Sequence, residues 1–85
     1  MNLEAKIVIA EKNKAIPTCV IRQDISDTQA EIATMEREIK GFRLVGDRMS
    51  NFRADAHEGG IKERRDFIEK LNAILEIRAE SPPQV

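Results

Sequence analysis

Apolar residues recur every three or four positions through the middle of the chain, at Ile25, Ile32, Met35, Ile39, Phe42, Val45, Met49, Phe52 and Ala56. This spacing keeps one face of an α-helix apolar, so the pattern predicts one long helix over 26–57. Ser26 and Gln29 form a capping box at its start, and Asp27 and Glu31 suit the positive end of its dipole. Glu36 and Lys40 make a favourable pair one turn apart. At the other end His57 fits a last turn, and Gly59-Gly60 can take the left-handed conformation that ends helices. Gly41 and Gly46 weaken the interior, and between them the stripe changes phase, because Phe42, Val45 and Met49 add an extra three-residue step. A break between these two glycines is the main alternative.

A second periodic stretch predicts another helix over 61–79, with Ile61, Phe67, Ile68, Leu71, Ile74, Leu75 and Ile77 apolar. Its apolar face is two rows wide, more than one neighbouring helix covers. The two stretches therefore predict an antiparallel helical hairpin of one long and one shorter helix, with a seam of Ile32, Met35, Ile39, Phe42, Met49, Phe52, Phe67, Leu71 and Ile74. The apolar surface left over calls for a homodimer or higher oligomer.

Leu3, Ala5, Ile7 and Ile9 alternate with Asn2, Glu4, Lys6 and Val8, a period of two. Lys12-Asn13-Lys14 is a polar turn, and Thr18 to Arg22 is a second β-prone run behind Pro17. Residues 1–25 thus predict a short β-hairpin, which must lean on the helices because it is marginal alone. The alternative is a third helix, Asn2 to Ile16, stopped by Pro17, in an all-α bundle. Residues 1–80 read as one small domain, and 81–85, with Pro82-Pro83, as a disordered tail.

Eighty-five residues with three Phe, no Trp and no Tyr enclose only a marginal core. Fourteen Lys and Arg against fifteen Asp and Glu give a formal charge of −1, which disfavours a general nucleic-acid binder. The single Cys19 suits a reducing compartment, and Glu4 stands where an export signal needs basic residues, so a cytoplasmic protein without a membrane segment is expected. The lone His57 lacks a second ligand at zinc spacing. No metal, cofactor or catalytic group is expected, and the chain reads as a non-enzyme.

One local rule is broken. Lys62, Arg64 and Arg65 fall in the predicted opening turn of the last helix, where the dipole prefers acids, and the hairpin brings Arg48 and Arg53 towards them. These five cations form a candidate site for an acidic partner or an anion. Asp47, Asp55, Glu58, Glu63 and Asp66 are interleaved with them, so solvated ion pairing accounts for the same residues.

With Thr18–Gln23 as ribbon, Asp27–Ile39 as one helix and Phe42–His57 as another, the order of elements resembles ribbon-helix-helix DNA-binding dimers. That resemblance implies a turn at Lys40-Gly41 and a DNA-binding regulator. Three functions are thus expected in decreasing order: an oligomeric interaction module that inhibits, adapts or regulates another protein; a DNA-binding regulator; and an oligomer that sequesters a small anionic ligand.

Overall fold

The computed structural model describes residues 1–80, which form three helices: α1 (Leu3–Lys12), α2 (Thr18–Val45) and α3 (Arg48–Glu80). The tail at 81–85 lies outside the described residues. The molecule is a rod, 59 × 23 × 16 Å. α2 and α3 pack antiparallel along its length. α1 runs alongside the second half of α3 only, so that α3 lies between the other two helices.

The N-terminal β-hairpin is not formed, and the third helix is. Asn2 caps α1 by accepting a hydrogen bond from the Ala5 amide (2.8 Å), and Asn13 closes it by donating to the Ile9 carbonyl. The alternation misleads because this helix is apolar on two sides. Ile9 packs into the core, whereas Leu3, Ile7 and Val8 face solvent. Thr18 to Gln23 is likewise helical, since α2 starts directly after Pro17, eight residues before Ser26. The ribbon of the ribbon-helix-helix pattern is absent, and α2 passes through Lys40-Gly41 without a turn.

The hairpin turn is at Gly46-Asp47, which corrects the expected turn at Gly59-Gly60. Gly46 adopts φ 72°, a conformation that costs any residue with a Cβ, and its amide bonds the Phe42 carbonyl. Asp47 then caps α3 by accepting from the Ser50 amide at 2.7 Å. That bond holds the Asp47 carboxyl below its ordinary value, with smaller help from Arg53. The phase change between Phe42 and Met49 therefore marks two helices, not an overwound one. Gly59 and Gly60 lie inside α3. A Cβ at Gly60 would fall 2.8 Å from Met35 Cε, so the glycine accommodates the close approach of α2.

The seam follows a strict four-three spacing. On α2 it runs through Ile21, Ile25, Thr28, Ile32, Met35, Ile39 and Phe42, and on α3 through Ala54, His57, Ile61, Arg64, Ile68 and Leu71 to Leu75 and Arg78. The tightest packing is at the base of the rod, where Ile21 (0% exposed), Leu71 and Ile74 (1%) meet, with Ile9, Ile16, Ile25 and Leu75 around them. Arg78 ties the α1–α2 connection to this core. Its guanidinium donates to Thr18 Oγ1 and to the carbonyls of Asn13 and Ile16. No buried side-chain nitrogen or oxygen among the described residues lacks a partner.

Candidate functional site

The five candidate cations do not form one cluster. With the turn at Gly46-Asp47, Arg48 and Arg53 stand in the first turns of α3, and Lys62, Arg64 and Arg65 lie in mid-helix. Arg53 and Lys62 are separated by about 13 Å along the axis at 1.5 Å per residue. The expected conflict with the dipole at Lys62 to Arg65 therefore disappears, and it applies to Arg48 instead.

Arg64 and Arg65 are engaged within the hairpin. Arg64 reaches Glu31 at 2.9 Å and Arg65 reaches Glu36 at 3.1 Å, both across the seam. Three further pairs complete a ladder between α2 and α3. His57 Nε2 lies 2.7 Å from Glu38 Oε2 with its ring edge-on to Phe42, and Arg43 binds Asp55 (2.7 Å) and Glu58 (3.3 Å). The Asp55 hydrogen bond, and then Glu58, raise the Arg43 pKa further above its already high value. Exposed pairs such as these contribute little each to stability. On α2 they are acidic at Glu31, Glu36 and Glu38 and basic at Arg43, and this one change of sign, matched on α3, favours one register of the hairpin. His57 is thus a seam residue in mid-helix and not a helix-end residue.

Arg48 and Arg53 remain outside this ladder. They flank an apolar row on the outer side of α3, made by Met49, Phe52 and Ala56, since positions 48 and 53 fall on either side of it on the helical wheel. Met49 is 61% exposed, Phe52 69%, and Leu44 at the end of α2 reaches 87%. Together with Val45 they make the tip of the rod its most apolar uncovered region. Met49 and Phe52 border a shallow depression with Arg48. Of the expected seam, Ile32, Leu71 and Ile74 are buried, Met35, Ile39 and Phe42 half-buried, and Met49, Phe52 and Phe67 exposed in the single chain.

A longer open groove between α2 and α3 is bordered by Glu36, Lys40, Ile61, Lys62 and Arg65, with charges of both signs. Cys19 is exposed on α2. Among the described residues no group of three or more His, Cys, Asp or Glu converges on one point, and no helix is long and apolar enough to cross a membrane. Sequence reasoning missed the separation of Arg48 and Arg53 from the other cations. The legible signal was Gly46-Asp47, a helix-ending glycine followed by a helix-capping acid. Compared with known proteins, the chain matches no family model, no curated protein and no solved structure.

Proposed function

We propose that this chain is a non-enzymatic helical interaction module, working in the cytosol as an oligomer that binds and regulates another protein. The observation that carries the reading is the uncovered apolar tip of Leu44, Val45, Met49 and Phe52. Side chains of this size in contiguous exposure mark surfaces that other macromolecules cover. The packed cluster of the fold does not include them, since its large buried side chains, Ile21 and Ile74, lie at the opposite end. The alternative functions have less support: the DNA-binding pattern rested on a ribbon that is helical, and anion sequestration on Arg64 and Arg65, which Glu31 and Glu36 engage.

Sedimentation equilibrium at micromolar concentration tests the reading. A mass of at least two chains is expected, falling to one chain in Phe52→Asp with unchanged helicity. A compact monomer at every accessible concentration overturns self-association.

A further inference from the structure

The outer side of α3 carries one row of residues from tip to base, at alternating steps of three and four. At the base the row holds Ala73 and Ile77, and α1 lies over it: Ala73 is only 2% exposed, and on one edge Lys6 pairs with Glu76 at 2.8 Å. In the middle it is charged, at Glu63, Asp66 and Lys70. At the tip it is apolar again, at Met49, Phe52 and Ala56 followed by Gly59, and nothing among the described residues covers it. The rod is therefore stepped. Its base half is thicker by one helix, about 10 Å, and its tip half presents a bare apolar floor. From Met49 to Gly59 the floor is about 15 Å long, the length of a ten-residue helix such as α1.

The surface of α1 that faces away from α3 is itself apolar and acidic. Leu3 and Ile7, one turn apart, make an exposed edge, Val8 adds to it, and Glu4 and Glu11 stand beside it, Glu11 also in an exposed pair with Lys14 at 3.1 Å. Its charges complement the tip, where Arg48 and Arg53 flank the floor. Among the described residues, every exposed large apolar side chain except Val20 and Phe67 belongs to α1 and its Met1 lead-in or to the tip.

We infer that the second copy of this chain docks antiparallel on the outer side of α3, so that α1 of each copy fills the step at the tip of the other. This rests on the self-association proposed above and assigns its geometry. The arrangement has two-fold symmetry and closes on itself. It buries each pair of patches twice, which is how two small patches approach the ~1,600 Å² of a stable interface. Leu3 and Ile7 contact Met49, Phe52 and Ala56 of the second copy, and Glu4 and Glu11 face its Arg48 and Arg53. The three-helix layer of one chain becomes a six-helix body in which each α1 has α3 on both sides.

Charge exchange tests this directly. Arg48→Glu with Arg53→Glu, and separately Glu4→Arg with Glu11→Arg, should each weaken self-association at least about 100-fold, because like charges then face one another at both contacts. Mixed one to one, the two monomeric variants should form a heterodimer, since every contact is complementary again. The chain carrying all four substitutions should dimerise like the parent. All these positions are exposed, and circular dichroism should show the parent helicity throughout. Dimers of unchanged affinity in either double variant would overturn this docking while leaving self-association intact. Two monomeric variants that fail to pair, with a monomeric fourfold variant, would overturn it too. A parent chain that never dimerises would remove the underlying reading as well.

Discussion

The two ends of the rod use their apolar residues in opposite ways. At the base, α1, the first turns of α2 and the last turns of α3 converge, so Ile21 and Ile74 lose nearly all contact with water. At the tip only two helices meet, and their outer apolar residues, Met49 and Phe52, stay in solvent. A pair of helices can cover one face of each partner, whereas a second apolar face needs a third element. The difference teaches that burial and apolar exposure along α3 are set by how many helices meet at each end of the hairpin. The short helix α1 decides which end is which.

The largest effect that would break this contrast comes from exchanging core volume. Ile74→Ala should destabilise the chain by about 2–5 kcal/mol, whereas Phe52→Ala, measured on the dissociated chain, should change its stability by less than about 0.5 kcal/mol. Urea unfolding at low protein concentration makes the comparison. Equal losses at both positions would mean that the tip is packed in the single chain.

Next in size is the tie between Arg78 and the α1–α2 connection. Arg78→Ala removes a charged donor from the Asn13 and Ile16 carbonyls and should cost roughly 2 kcal/mol. Hydrogen exchange should accelerate in α1 before it does in the α2–α3 seam. Uniform acceleration along the rod would contradict a base that is locked by this residue.

The two turn candidates give effects of opposite sign. Gly46→Ala places a Cβ at φ 72° and should cost about 1–2 kcal/mol. Gly59→Ala, in a helix interior with open space around it, should stabilise by roughly 1 kcal/mol. Thermal melts of the two variants, compared with the parent, locate the turn without further structural work.

The smallest expected effect is on pH. The Asp47 carboxyl is held below its ordinary value of 3.8 by the Ser50 amide, so its contribution is present above that value and is lost as pH falls through the lower folded value. Asp47→Asn keeps a capping oxygen but cannot titrate, and should flatten the acid limb of stability against pH. A limb of unchanged slope would show that Asp47 does not cap α3.

Much of the helical content was legible in the residues themselves. The four-three spacing of Ile32, Met35, Ile39 and Phe42 marks one side of the seam, and Ile61, Ile68 and Leu75 mark part of the other, because burial along a helix repeats every 3.6 residues whatever lies opposite. What spacing could not settle was which of two glycine sites forms the turn. Both Gly46 and Gly59-Gly60 are compatible with a helix end, and the choice goes with the left-handed Gly46 and with Asp47 capping the next helix. Residues 1–12 failed for a related reason. An alternating pattern reads as a strand only if one face is buried, and here Ile9 turns inward while Leu3 and Ile7 turn outward on a helix. The five candidate cations do not gather at one hairpin tip, since moving the turn by a dozen positions carries Arg64 and Arg65 from a helix start into mid-helix ion pairs. Local periodicity thus determined the helical character of the chain beyond residue 25 and the part of the seam from Ile32 to Phe42. The tertiary structure alone decided where the chain reverses, because the reversal is chosen by contacts between residues distant in sequence, and with it which apolar face is left uncovered among the described residues.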